Sequence, residues 1–162
     1  MTTLSLEDLT APVTDLGELG AEALAEWRWL VPPTSRPVLM TALGDLFLQA
    51  DDGSIEFLDT TAGTLTRVGA SYTAWRVGLS PEWLGRWFMP EFVSELVAGG
   101  STLKAGEVYS PIIPEVLGGK RTVTNYSASP WTAHLHTLGS VHRQVKDLPE
   151  GTPISAVHVE PW

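Results

Sequence analysis

The residues from 38 to 68 constrain the fold most, because their apolar side chains alternate with polar ones and two turn signals divide the run. The first turn is Asp51-Asp52-Gly53, and the second is centred on Gly63. Alternation divided by glycine-containing turns predicts a three-stranded antiparallel meander. The residues that we expect to face the core are Ile55, Phe57 and Leu65.

The sequence predicts helices both before and after this meander. Apolar residues recur with a period near 3.6 over 15–30, which predicts a helix that ends before Pro32-Pro33. After the meander, Ser71 can cap a short helix that runs to Leu79, and Ser80-Pro81 is a stronger helix start. We expect this second helix to be largely buried, to break at Pro90, and to be followed by a helix that ends at Gly99-Gly100.

The second half of the chain reads as short strands and one helix. We predict strands over 107–110, 121–125 and 131–136, a helix over 136–145, and an edge strand over 153–159. Helices and strands therefore come in separate runs, which is typical of the α+β class with a mainly antiparallel sheet and several short helices.

Length and composition indicate one domain. The chain has 162 residues, of which 43% are hydrophobic and 18% are charged, enough for one core and too few for two ordinary domains. We expect a single domain over 1–162, in which 1–37 form an acidic helical lead and 38–162 form an α+β core.

The charge pattern limits the classes of partner. The net charge is −9, and the whole excess lies in residues 1–100, since residues 101–162 hold five acids and five bases. Phosphate contacts need clustered cations, so direct nucleic-acid binding is not expected, and a basic partner is more natural. The chain lacks cysteine and any apolar run of membrane-spanning length, so we expect a cytoplasmic protein that binds no membrane.

A zinc site and a phosphate-binding loop are the two functional sites for which the sequence offers candidate residues. His134 and His136 would share one face of a strand, and His142 could approach them from the next helix, giving a zinc site for a small metal-dependent hydrolase. No acidic residue close by in sequence offers a general base, so this enzyme is the alternative and not the main expectation. The segment from Gly118 to Arg121 lacks the spacing of a phosphate-binding loop, and positive φ angles explain its glycines better.

Several motifs, in order, carry a resemblance to a known family. They are GDLFL at 44–48, FLDT at 57–60, AGEVYS at 105–110, VLGGKRTV at 116–123 and VHRQVKDLPEGT at 141–152. Together they resemble the C-terminal domain of immunity proteins that protect type VI secreting bacteria from their own DNase effector. The resemblance covers about half of the chain.

That resemblance implies a protein that binds a cognate toxin in the cytoplasm and blocks its active site, with no catalysis, cofactor or metal of its own. The expected partner is a basic toxin, possibly a DNase, and carboxylates on the inhibitor would occupy the surface that attracts DNA phosphates. The residues that we expect to contact it are Asp51, Asp52, Glu56 and Asp59 around the meander turns, and Gly118, Gly119 and Lys120 in the loop.

Overall fold

The computed structural model describes residues 4–13, 16 and 22–161 of the chain. Within these residues the strands are β1 (Arg36–Met40), β2 (Leu46–Gln49), β3 (Ile55–Asp59), β4 (Thr64–Gly69), β5 (Glu107–Pro111) and β6 (Tyr126–Pro130). The α-helices are α1 (Tyr72–Val77), α2 (Pro81–Phe88), α3 (Pro90–Ala98) and α4 (Trp131–Val145). Short 3-10 helices span Ala25–Trp27, Glu115–Leu117 and Val123–Asn125.

The meander has four strands and not three. β1 to β4 pair antiparallel in chain order, which confirms the α+β class and the antiparallel sheet. The first predicted strand is divided by a tight turn in which the Gly44 amide donates to the Thr41 carbonyl at 2.9 Å. Gly44 has a φ of 83°, and a conformation of this kind is accessible mainly to glycine, so the chain reverses where alternation alone predicted a continuous strand.

Both faces of the two central strands of this sheet, β2 and β3, are buried. Phe47, Ile55 and Phe57 point into one apolar cluster, and the Phe47 ring centroid lies 4.5 Å from that of Trp75 in α1. Leu46, Leu48 and Leu58 point into a second cluster on the opposite face, which α4 covers. Leu65, predicted to face the core beside Ile55 and Phe57, is partly buried against this second cluster. Burial of apolar surface on two faces gives a sheet of this size far more stabilisation than one face would.

The helices that cover the first face begin where the sequence predicts, and α1 ends at Val77, two residues before the predicted Leu79. The Ser71 and Ser80 hydroxyls cap α1 and α2 by accepting from the Ala74 and Trp83 amides at 3.1 and 3.3 Å. Met89, between α2 and α3, has a φ of 50°, which reverses the chain ahead of Pro90. Burial of α2 is less complete than predicted: Trp87 and Phe88 are buried, whereas Trp83 is 37% exposed.

The last part of the chain departs from the prediction. Residues 121–125 form no strand and end in the 3-10 helix Val123–Asn125. The strand that pairs with β5 is β6, which begins at Tyr126. Residues 131–136, predicted as a strand, begin the long helix α4. A helix is favoured over the predicted strand because Trp131, Leu135 and Leu138 lie four and three residues apart. At this spacing a helix buries all three side chains in one stripe against the sheet. The predicted edge strand over 153–159 is also absent, and His158 there bonds to the Gln144 side chain.

The N-terminal helix predicted over 15–30 lies partly outside the described residues. In its described part, residues 16, 22 and 23 are α-helical, Ala25–Trp27 is a 3-10 helix and residues 28–30 form a turn. Trp27 is fully buried against α4, and its ring stacks on Trp29 with centroids 5.9 Å apart. The division of the chain at residue 37 stays a prediction. In the described ranges, no helix combines the length and apolarity that a membrane crossing requires.

Candidate partner-binding surface

The acidic residues predicted to bind a partner are spread along β3 and the turn that precedes it. Asp51 and Asp52 lie in the exposed turn between β2 and β3, whereas Asp59 ends β3. Four residue steps along a strand place the two ends of β3 roughly 13 Å apart. Glu56 lies between them, opposite Arg67 in the register of β3 and β4.

Two of these carboxylates also shape their own turns. Asp52 Oδ1 accepts from the Ser54 amide at 2.9 Å, and hydrogen bonds from Ser54 lower the pKa of Asp52. Asp59 Oδ1 accepts from the Thr61 and Ala62 amides at 3.0 and 2.9 Å. Both carboxylates therefore stabilise their own turns, as Asp commonly does. A role of Asp52 and Asp59 in partner binding stays a prediction.

The predicted glycines and lysine lie in a loop that exposes apolar side chains. We call residues 112–125, between β5 and β6, the apolar loop. Ile112 and Ile113 are 62% and 53% exposed, and Val116 and Val123 add further apolar surface. Exposed aliphatic groups gathered on one loop are typical of an interface with another protein.

Asn125 holds the start and the end of the apolar loop together. Its side-chain Nδ2 donates to the carbonyls of Ile113 and Lys120 at 2.9 and 2.8 Å, and its Oδ1 accepts from the Ile113 amide at 3.0 Å. The main chain adds a bond from the Ile112 amide to the Asn125 carbonyl at 2.7 Å. The loop therefore has a fixed shape before any partner arrives.

The glycine pair is required by that shape. Gly118 has a φ of 95°, which confirms the expectation of a positive φ angle there. At Gly119 an added Cβ would lie 1.8 Å from the Ile113 carbonyl oxygen, so only glycine fits. Lys120 is exposed beside them.

The apolar loop is also anchored to the helical layer. Arg121 Nε donates to Glu115 Oε1 at 2.8 Å within the loop, and the same guanidinium donates to Met89 Sδ at 2.8 Å. Tyr126 donates to Glu115 Oε1 at 3.4 Å from the start of β6. These contacts join the loop to the reversal between α2 and α3.

A buried chain of polar groups crosses from the four-stranded sheet to α4. The Thr60 hydroxyl donates to Asp45 Oδ1 at 2.8 Å and lies 3.0 Å from His134 Nε2, while His134 Nδ1 lies 2.8 Å from the Ser110 hydroxyl. While Asp45 is ionised, Thr60 donates its proton to it, and neutral His134 then carries its own proton on Nε2. Burial lowers the pKa of His134 to about 4. Burial, with the nearby charge of Asp59, raises the pKa of Asp45 to about 7.

The other two histidines of the alternative zinc site have separate partners. His142 Nε2 lies 3.0 and 3.1 Å from the carbonyls of Thr60 and Thr61, and His136 Nε2 lies 2.8 Å from that of Glu160. All three histidines are on α4, where residues two apart point to different sides. The prediction that His134 and His136 share one face of a strand was therefore wrong. Among the described residues, no three potential ligands gather closely enough to hold a metal ion.

The exposed isoleucines are the site feature that the sequence analysis did not identify. The segment Pro111-Ile112-Ile113-Pro114 carried a signal, since two apolar residues between prolines cannot join the interior of a helix or a sheet. Hydrophobic character alone points to burial, and the exposure of this pair follows from the path of the loop.

Comparison with known proteins gives one structure of similar fold and a family match over part of the chain. The crystal structure of Atu4351 from Agrobacterium tumefaciens is similar at a TM-score of 0.50 with 17% identity, over 74% of this chain and 60% of that one. The chain thus spans less than two-thirds of that protein, and the likeness is one of fold. No curated protein matches the sequence. Residues 78–142 match the family described as T6SS immunity protein Tdi1, C-terminal, which confirms over this stretch the resemblance found in the motifs.

Proposed function

We propose that this protein is an immunity protein that binds a cognate type VI secretion toxin and blocks its active site. The family match over 78–142 supports neutralisation of a toxin. The observation that carries the proposal is the apolar loop, which lies within the matched residues and exposes Ile112 and Ile113 in a shape fixed by Asn125.

Rigidity and exposure together favour tight binding at this loop. Ordering a flexible segment costs free energy on association, and a loop that is already ordered avoids most of that cost. Aliphatic side chains that become fully desolvated at the centre of an interface contribute much of its binding energy. A loop of this kind fits a concave site on a partner, such as an active-site cleft.

The toxin class and the compartment are further parts of the proposal. A basic nuclease is supported by the net charge of −9, which attracts a cationic protein over several ångströms and speeds its encounter. A cytoplasmic location follows, since a toxin that cuts DNA meets its inhibitor there. The acidic turns at Asp51 and Asp52 would steer the toxin, whereas the apolar loop would hold it.

The proposal assigns no catalysis to this chain, and the histidine arrangement supports that choice over the metal-dependent hydrolase. His134 and His142 are buried and bonded to protein groups, and His136 faces a different side of α4. An inhibitor that acts by occlusion needs a stable surface and no reactive group.

The test is binding to the protein encoded by the adjacent gene. Co-expression of the pair should relieve growth inhibition and give a one-to-one complex. The double variant Ile112→Asp/Ile113→Asp should weaken the complex about 100-fold or more, because two carboxylates would be buried without partners. Val77→Asp is the matched control, since Val77 is 82% exposed on α1 and is not part of the loop, and this variant should bind like the wild type.

Each outcome bears on a different claim. A double variant that binds as tightly as the wild type would show that the apolar loop is not the interface. A toxic neighbour that the wild-type protein neither binds nor neutralises would contradict the immunity function for this pair.

A further inference from the structure

An open groove lies between the apolar loop and the last part of the chain. We call it the terminal groove. One wall is formed by Val116 and Leu117 of the apolar loop, and the other by residues 151–157. The volume of the groove is about 570 Å³, within the usual range for sites that bind ligands. Because Val116 and Leu117 belong to both features, the groove continues the surface that exposes Ile112 and Ile113.

Aliphatic side chains line the terminal groove on both sides. Val116 is 40% exposed on the loop wall, and Ile154 is 41% exposed on the opposite wall. Leu117 and Val157 add half-buried apolar surface to the same two walls. Aliphatic groups that meet in a concave site are typical of a pocket for an apolar side chain.

The wall that belongs to the last part of the chain is held at both of its ends. At one end the Thr152 amide donates to the Pro149 carbonyl at 3.1 Å. At the other end the Gln144 side chain, on α4, donates to the His158 carbonyl at 2.6 Å and accepts from the His158 amide at 3.1 Å. The groove therefore has two ordered walls before a partner binds.

The main chain between these two anchors is open. Within the ranges that the structure describes, no hydrogen bond engages the N–H or C=O groups of residues 154–157. Residues 156–161 contain no helix, turn or bend. A partner that covers these groups has to pair them, because a main-chain group buried without a partner is costly. A second main chain in an extended conformation carries donors and acceptors in the alternation that such pairing needs.

The charge beside the groove favours a basic partner over a second copy of this chain. Residues 146–161 hold three acidic residues and one lysine. Glu150, next to the groove residue Gly151, is exposed and forms no ion pair in the part of the chain that the structure describes. A second copy carries a net charge of −9 and is repelled, whereas a cationic protein is attracted.

We propose that the terminal groove binds an extended segment of the toxin, in which an aliphatic side chain packs between Val116 and Ile154. The main chain of that segment pairs with residues 154–157, and a lysine or arginine next to its aliphatic residue meets Glu150. The inference rests on the proposed function, because the toxin is the partner that the proposed function names. The apolar loop and the terminal groove then form one continuous contact surface.

Hydrogen exchange tests the pairing of main chains. The full-length protein is labelled at short times, alone and in complex with the protein encoded by the adjacent gene, and exchange is read by mass spectrometry. In the free protein the amides of residues 154–157 should exchange rapidly, since they have no hydrogen bond. In the complex their exchange should slow about 10-fold or more.

A single substitution tests the apolar contact. Ile154→Asp should weaken the complex about 10-fold or more, because its carboxylate would be buried among aliphatic groups. Val77→Asp adds the same charge on α1, does not line the groove, and should bind like the wild type. Both variants should unfold at the wild-type temperature, because both residues are exposed.

The outcomes separate this inference from the proposed function. If the wild-type protein forms no complex, the proposed function and the groove inference fail together. If the complex forms but exchange at residues 154–157 is unchanged, or Ile154→Asp binds as tightly as the wild type, only the groove inference fails. Sedimentation of the protein alone should show a monomer. A dimer that Ile154→Asp abolishes would mean that a second copy occupies the groove, which would also overturn the inference.

Discussion

The indole N–H of Trp27 donates a 2.8 Å hydrogen bond to the carbonyl oxygen of Leu135 in the middle of α4. The two residues are 108 positions apart in the chain. The contact is possible because Gly139 has no side chain, which lets the Trp27 ring lie directly on the helix. The segment before the sheet and the last helix therefore form one packed unit over the second apolar cluster.

Gly139→Ala should destabilise the fold by about 1–3 kcal/mol. Its Cβ would lie 2.8 Å from Trp27 Nε1 and from Glu26 Cβ, so the Trp27 ring would have to move from its fully buried position. The measurement is the free energy of unfolding in urea. Gly85→Ala in α2 is the matched control, because no atom lies within 4 Å of its added Cβ and alanine favours a helix by about 1 kcal/mol. Equal stability of the two variants would contradict the packing described for Trp27.

The buried chain that joins Asp45 to His134 should make the stability of this protein depend on pH in a specific way. The folded pKa of Asp45, about 7, is above its ordinary value of 3.8, so ionisation of Asp45 lowers stability as pH rises from about 4 to 7. The folded pKa of His134, about 4, is below its ordinary value of 6.5, so stability is lost as pH falls from 6.5 to 4. Burial also lowers the pKa of His142, which has the same sign as His134.

Asp45→Asn should reveal how much His134 contributes to the pH dependence of the free energy of unfolding. In the wild type, Asp45 and His134 oppose each other between pH 4 and 6.5, whereas the variant keeps only the histidine effect. The free energy of unfolding of Asp45→Asn should then fall by about 3 kcal/mol or more across that range, more steeply than in the wild type. Urea unfolding at a series of pH values measures this. Asp51→Asn, in an exposed turn, is the control and should keep the wild-type dependence of stability on pH. If the curves of Asp45→Asn and the wild type coincide, Asp45 and His134 do not have opposing effects on stability.

Asn125→Ala should loosen the apolar loop without unfolding the protein. The change removes three side-chain hydrogen bonds, to the Ile113 amide and to the carbonyls of Ile113 and Lys120. The Ile113 amide should exchange with solvent at least 10-fold faster, since each lost bond contributes about 1 kcal/mol to holding the loop closed. Thr124→Ala is the control, because the hydrogen bond of its hydroxyl within the described part of the chain goes to Thr122, two residues earlier. Unchanged exchange at Ile113 would mean that the main chain alone holds the loop.

Local signals in the sequence predicted the middle of the fold well. Caps act within one turn of a helix, so Ser71 and Ser80 located α1 and α2 without knowledge of the rest of the molecule. The turn at Gly63 was found for a similar reason, because its geometry depends on the glycine itself. The reversal at Gly44 was missed because the apolar residues before Gly44 and after Asp45 were read as one continuous strand.

Features set by distant residues were predicted less well. Residues 131–136 alternate like a strand, yet they are helical because Trp27 and the sheet cover the stripe of Leu135 and Leu138. The predicted grouping of three histidines failed with that strand. The predicted loop at Gly118 and Gly119 is where the glycines require it, whereas the exposure of Ile112 depends on the contacts of Asn125, 13 residues later.

The residues that determine the path of the apolar loop are not the residues that it exposes. Its path depends on Asn125, on main-chain hydrogen bonds and on the space available only to glycine at position 119. The side chains of Ile112 and Ile113 point outward and contribute little to that path. Substitutions at the two exposed positions can therefore accumulate at small cost in stability, and under the proposed function the surface could change with the toxin while the scaffold stays the same.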